Sequence, residues 1–210
     1  MKSLVVVVLM MLAASSSICA AVEGDVVINE LMWMGSTVSS ADEWIELRNT
    51  TDSEILLSDW TLEKAGTAGD TLTIPEGKTI PAQGFFLIAN YEPSSENSGL
   101  TVKADWVTTA VSLVNTKLQI VLKDAEGNVM DTADDGVGDP AAGDNDGKRS
   151  MVRNDPPGDG TLADSWHTAT EASGWKEDAT EKGTPRNSLS TISVEGASWG
   201  RVKGMRIGEW

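Results

Sequence analysis

Glu30, Glu43 and Glu46 are the residues best placed in the sequence to supply a carboxylate pair. Two carboxyl groups facing each other across a cleft can divide the work of glycoside hydrolysis, one giving a proton while the other attacks or activates water. The local pattern argues against that use. In Trp44-Ile45-Glu46-Leu47-Arg48, Ile45 and Leu47 share one face and Glu46 and Arg48 the other. Alternation of this kind sets Glu46 on the polar face of a strand. The one histidine, His167, lies in Ser165-Trp166-His167-Thr168. It has no cysteine partner, no second histidine at metal spacing and no Gly-x-Ser-x-Gly nucleophile elbow. A surface histidine beside a buried tryptophan is the expectation, with a Ser–His pair as the alternative. No catalytic residue is assigned, and a carboxylate-based hydrolase is the remote reading.

The aspartate-rich loops offer a different chemistry. Their hard oxygen ligands suit calcium, which extracellular modules bind weakly. Gly136, Gly147 and Gly160 each occupy the sixth position of an EF-hand-like frame after an acidic fifth. The twelfth residues, Ala142, Arg153 and Trp166, are not the bidentate Glu that such a loop requires. An irregular calcium site on Asp139, Asp144 and Asp146 is the speculative metal reading, against solvated loop aspartates; otherwise no cofactor is expected. Asn49-Thr50-Thr51 matches a glycosylation sequon, although a strand end rich in Asn and Thr accounts for it as well. Eight tryptophans raise the question of sugar stacking. Trp44, Trp60 and Trp106 lie in or beside predicted strands, which favours core packing.

The elements that would position these groups are short. Trp60 to Lys64 alternates with Trp60 and Leu62 inward, and Leu118 to Lys123 does so with Leu118, Ile120 and Leu122 inward. Phe85-Phe86-Leu87-Ile88-Ala89 is apolar throughout, as a strand covered on both sides would be. Val26 to Leu31 reads as the first strand, without clean alternation. Pro75-Glu76-Gly77-Lys78 and Ala125-Glu126-Gly127-Asn128 read as tight connections between antiparallel strands. Ser150 to Arg153 is expected to be a last strand, and Asp164 to Gly183 irregular chain pinned by its tryptophans. Seven to nine short strands without a long helix predict an all-β sandwich, with a closed barrel as the alternative.

The chain ends and the charge set the setting. Met1-Lys2, the uncharged run Leu4 to Leu12 and the small residues Ala13 to Ala21 describe a signal peptide, residues 1–21, cut after Ala20 or Ala21. The run is too short to span a bilayer; an uncleaved anchor and lipidation at Cys19 are the alternatives. Cleavage removes the one cysteine, so the mature chain must hold together by packing. With 32 acidic and 16 basic residues, and Lys2 leaving with the leader, the mature protein carries near −17. Such a field repels nucleic acid and anionic membrane surfaces. Residues 22–188 form the expected domain, and 189–210 a tail with Arg201, Lys203 and Arg206.

Several pieces, in order, carry a resemblance. They are Val27-Ile28-Asn29-Glu30-Leu31, Asp42 to Thr50, Leu57-Ser58-Asp59-Trp60-Thr61-Leu62, Ile80 to Ile88, Ser150 to Arg153, and Gly183-Thr184-Pro185-Arg186-Asn187. Together they resemble the lamin-tail domain in its bacterial, secreted, single-domain form, over about Val26 to Asn187. The resemblance implies an immunoglobulin-like antiparallel β-sandwich with Greek-key connections, and a structural use for the acid at Glu30. Arg186 departs from the pattern, standing where the family usually shows Gly. The expected function is an exported, non-catalytic interaction or structural module for a protein or glycan partner, without nucleic acid or a membrane span. A calcium-dependent adhesion or accessory domain is the alternative.

Overall fold

The computed structural model describes residues 21–187. The signal peptide and the C-terminal tail expected from the sequence lie outside the described residues, apart from Ala21. The described residues are all-β, with two short 3-10 turns at Thr67–Gly69 and Ala163–Ser165. Twelve strands are found among them: β1 (Val26–Met32), β2 (Trp44–Asn49), β3 (Ile55–Leu56), β4 (Thr61–Glu63), β5 (Leu72–Thr73) and β6 (Thr79–Ile80). They continue with β7 (Phe85–Ala89), β8 (Trp106–Val107), β9 (Ile120–Lys123), β10 (Val129–Ala133), β11 (Met151–Arg153) and β12 (Trp166–Thr168). A six-stranded sheet runs β12-β11-β1-β2-β7-β8, a four-stranded sheet runs β10-β9-β4-β5, and β3 pairs with β6. This is an immunoglobulin-like sandwich, antiparallel except for the β7–β8 pair. The inward residues expected from alternation, Ile45, Leu47, Trp60, Leu62, Leu118, Ile120 and Leu122, are all buried.

The irregular alternation of β1 has a geometric cause. Ile28 stands opposite Leu47 in β2, but the next pair is Glu30 with Glu46, so Asn29 is a bulge. A bulge adds one residue to one strand and reverses the faces beyond it. Ile28 and Leu31, three residues apart, therefore share the face of Leu47 and Ile45. Glu30 and Met32 share the opposite face with Glu46 and Trp44. The sequence rule that separates Glu46 from Ile45 and Leu47 holds. What it missed is that the second face is covered too.

That cover comes from the end of the domain. Trp175 packs on Trp44 with ring centroids 6.3 Å apart, and its Nε1 donates to the Gly183 carbonyl at 2.9 Å. The tryptophans thus pin this segment as expected. Two expectations are corrected here. Ser150 to Arg153 is not the last strand, because Trp166–Thr168 forms a further one at the sheet edge and β11 lies between it and β1. The 164–183 segment is accordingly not irregular throughout.

The Pro75–Lys78 turn is a third correction. It does not join adjacent strands of one sheet. β5 pairs with β4 and β6 with β3, so the turn passes from the four-stranded sheet to the small one. Both strands fold back on the same preceding segment, with Leu57 N donating to Lys78 O and Asp59 N to Ile74 O. Asp59 takes φ +63 where that ribbon breaks. The Ala125–Asn128 turn, by contrast, joins β9 to β10 as expected.

Candidate functional site

Glu30 and Glu46 face each other across β1 and β2, and both are fully buried. Glu30 Oε1 accepts from Ser150 Oγ at 2.5 Å and from Thr184 N at 2.9 Å, and its Oε2 accepts from Thr184 Oγ1 at 3.2 Å. Glu46 Oε1 accepts from Asn29 Nδ2 at 2.9 Å, and its Oε2 from Arg186 N at 2.5 Å. Burial pushes the Glu30 carboxyl up to about 7 against the hydrogen bonds that favour its charge. Burial, reinforced by the neighbouring Glu30, pushes Glu46 up to about 8. Two like charges this close in a dry site cannot both form at neutral pH without large cost, so the pair retains protons.

Three of the five hydrogen bonds to this pair come from Thr184 and Arg186 of Gly183-Thr184-Pro185-Arg186. The arrangement is a latch. Gly183 is required by close approach, since a Cβ there would lie 2.8 Å from Glu30 Oε1 and 2.9 Å from Ser150 Oγ. Arg186 has φ +65, the left-handed region that favours glycine, which accounts for the glycine expected at this place. The strain is offset by its backbone N–H on Glu46, by Nε on the Lys103 carbonyl at 2.8 Å, and by an ion pair with Asp105.

The other residues singled out in the sequence are not brought to this pair. Glu43 is buried apart from it, pushed up to about 7 by burial against a hydrogen bond from Leu113 N. His167 lies on β12, half-buried, with Nδ1 2.6 Å from Asn154 Oδ1 and no serine partner among the described residues; partial burial holds its pKa below the ordinary value. The candidate calcium ligands do not gather. Asp144 Oδ1 accepts from Asp146 N and Gly147 N at 3.1 Å each, its Oδ2 lies 3.8 Å from Arg149 Nε, and Asp139 and Asp146 are exposed. Among the described residues no group of three or more His, Cys, Asp or Glu side chains is arranged to hold a metal ion. Of the trio, Asp144 serves as acceptor for the turn of its own loop.

Asn49 of the sequon is fully buried. Its Nδ2 reaches the carbonyls of Ser53 at 2.7 Å, Ile80 at 3.3 Å and Pro81 at 3.0 Å, while Oδ1 accepts from Thr51 N and Oγ1. The side chain ties the end of β2 to the loop before β3 and to the end of β6, so a glycan cannot be carried there in the folded state. Asn49→Ala is expected to cost about 2–3 kcal/mol, because the buried Ile80 carbonyl and the part-buried carbonyls of Ser53 and Pro81 lose their donor and Thr51 loses its acceptor. Urea unfolding measures it, and a loss under about 0.5 kcal/mol would contradict the role.

Some partners escaped the sequence reading. Ser150 and Thr184 carry no signal of their own, and only the chain crossing from β11 to the closing turn brings them to Glu30. Asp131 and Arg153 form a buried ion pair at 2.9 Å, with the guanidinium 4.6 Å from the Trp166 ring centroid. A buried charge needs a partner, but nothing in the spacing of these two residues joins them.

Comparison with known families places this arrangement. A profile described as "Lamin Tail Domain" matches residues 20–136, more than half of the chain. Comparison with curated proteins gives no match. The matched segment stops before β11, yet β11 pairs with β1 and Thr184 is bonded to Glu30, so the later residues complete the same sandwich. By its fold and by the segment matched, the chain belongs to the lamin tail domain family.

Proposed function

We propose that the protein is an exported, non-catalytic interaction or structural module that holds a protein or glycan partner through loops at one end of its sandwich. One observation supports this reading above the others. The carboxylate pair with acid–base potential is sealed, and its hydrogen bonds fasten the domain's own closing segment. A glycosidase pair must instead stand either side of a substrate bond. Export rests on the basic start and short apolar run of the first 21 residues. Fold alone does not choose the partner, so the loops are where binding is placed.

The test is a glycan array, together with quantitative capture of candidate extracellular proteins by the purified protein, each run with calcium and with chelator. Saturable binding that ignores the chelator, with the bound partner recovered chemically unchanged, is the expected result. Recovery of a cleaved partner would overturn the non-catalytic reading. Binding that disappears with chelator would transfer the assignment to a calcium-dependent adhesion domain.

A further inference from the structure

A second group of carboxylates lies away from the Glu30–Glu46 latch. A cleft of about 330 Å³ is lined by Thr37, Val38, Ser98, Gly99 and the segment Lys176–Ala179 with Glu181. Glu181 is almost wholly buried, 2% exposed. Its Oε1 accepts from Thr37 N at 2.6 Å and Thr37 Oγ1 at 2.7 Å. Its Oε2 is buried and has no hydrogen-bond partner among the described residues. A buried carboxylate oxygen without a donor is costly unless something supplies one. Glu181 is nonetheless held ionised: burial pushes it up, but the Thr37 hydrogen bonds, with the backbone amides of Glu181 and Thr180 behind them, outweigh this and leave it below the ordinary value.

Among the described residues no cation answers it, and Glu181 takes part in no ion pair. Lys176, at the same cleft, turns its ammonium to the carbonyls of Ser95 at 3.0 Å and Ser98 at 2.5 Å. Behind the cleft Asp42, 1% exposed, accepts from Gly99 N at 2.7 Å and adds a second buried acid. Exposed Glu96, Glu177 and Asp178 surround the opening. Val38, 52% exposed, gives the rim an apolar side.

We propose that this cleft binds a primary ammonium carried on an alkyl chain, as on a lysine side chain of a partner or a free diamine, with the unpartnered Glu181 oxygen as its acceptor. The chemistry matches on three counts. An ammonium has three donors and no acceptor, suiting a cleft rich in acids whose lining cation, Lys176, is already engaged by the Ser95 and Ser98 carbonyls. Its methylenes can lie along Val38 while the charge stays with the acids. The excess of negative charge attracts it from a distance. A divalent metal is the poorer fit, because calcium takes six to eight oxygens and no three-residue ligand group is arranged for it among the described residues. The inference deepens the interaction-module reading by giving the partner a chemical handle.

The experiment is an NMR titration of the uniformly 15N-labelled protein with 1,5-diaminopentane and, separately, with Nα-acetyl-lysine methylamide. Sodium chloride at matched ionic strength and calcium chloride are parallel arms. Saturable shifts at the amides of Thr37, Gly99 and Ala179 are expected with the amines and not with sodium. Glu181→Gln is expected to weaken them about tenfold, the size of losing a charge-assisted hydrogen bond. Should that variant fail to fold, Glu177→Gln with Asp178→Asn is expected to weaken them about threefold through the lost rim field. A tighter diamine points to a free polyamine, and a tighter lysine derivative to a partner side chain. Shifts that never saturate, shifts unchanged in both variants, or saturation by calcium alone would overturn the proposal. Captured partners with no amine effect would overturn it while leaving the interaction module standing.

Discussion

Raising the pH from about 5.5 to about 9 is expected to lower the melting temperature of this protein by about 10 °C, the reverse of acid denaturation. Glu30 and Glu46, at about 7 and about 8 in the fold, stand above the ordinary value of 4.5. The native state therefore binds more protons than the unfolded chain between those limits. Stability is then highest at the acidic end of the window and falls as pH rises through the folded values. Glu43 is also raised to about 7, and Asp42 and Asp131 are raised by burial, so they act in the same direction. His167 opposes them, since its lowered pKa costs stability only toward and below its ordinary value of 6.5. Each pKa unit corresponds to about 1.4 kcal/mol. If a third of the displacement of the buried pair survives relaxation of the site, about 3 kcal/mol is at stake, and a chain of this size responds by roughly 2–4 °C per kcal/mol.

The carboxylate pair can be separated from the rest of the titration. Glu46→Gln removes the charge and keeps an acceptor for Asn29 or Arg186. It is expected to flatten the pH profile by about half and to melt above the wild type at about pH 9. Calorimetry across the window measures both. A melting temperature that is level or rising from about pH 6 to about pH 9, or a Glu46→Gln slope equal to wild type, would show that the pair does not hold its protons. A closing segment fastened by protonated carboxylates is expected to be held less firmly as pH rises through their folded values.

The latch shows how far the sequence could be read. Alternation in β2 put Ile45 and Leu47 in the core, and the apolar run in β7 marked a strand covered on both sides; both are local patterns with a fixed period. The same rule gave Glu46 a polar face but could not say that residues 175–186 would cover that face. Their contacts with β1 and β2 span well over a hundred residues. The bulge at Asn29 was visible only as broken alternation in β1. The Pro75–Lys78 turn was misassigned because turn residues specify a reversal of the chain and not which sheet receives it. The aspartates of 139–146 looked like cation ligands by type. Asp144 also accepts from the Asp146 and Gly147 amides, a use that composition does not distinguish from metal binding. Arg186 was visible only as a departure from the glycine of the resembling family; its left-handed φ of +65 comes from the structure.

Arg153→Ala is expected to destabilise the domain by about 3–5 kcal/mol, the cost of leaving one member of a buried ion pair without its partner. Asp131 belongs to β10 in the four-stranded sheet and Arg153 to β11 in the six-stranded one, so their bond fastens sheet to sheet in a domain without a cysteine among its described residues. The fork is bidentate, Nη2 to Oδ1 at 2.9 Å and Nη1 to Oδ2 at 3.2 Å. Asp131 Oδ2 also accepts from Ile28 N at 2.8 Å, just before the bulge, and Arg153 Nη2 donates to the Gly158 carbonyl at 2.8 Å. The guanidinium lies over Trp166, so β12 is drawn into the same contact. Arg153→Lys keeps the charge and loses the fork and the planar stacking; about half the loss is expected to remain. If the pair acts as one staple, Asp131→Ala with Arg153→Ala should cost less than the two single losses added together, by about 2 kcal/mol in urea unfolding. Additive losses, or a single loss under about 1 kcal/mol, would mean that packing of the two sheets holds the sandwich closed without this bond.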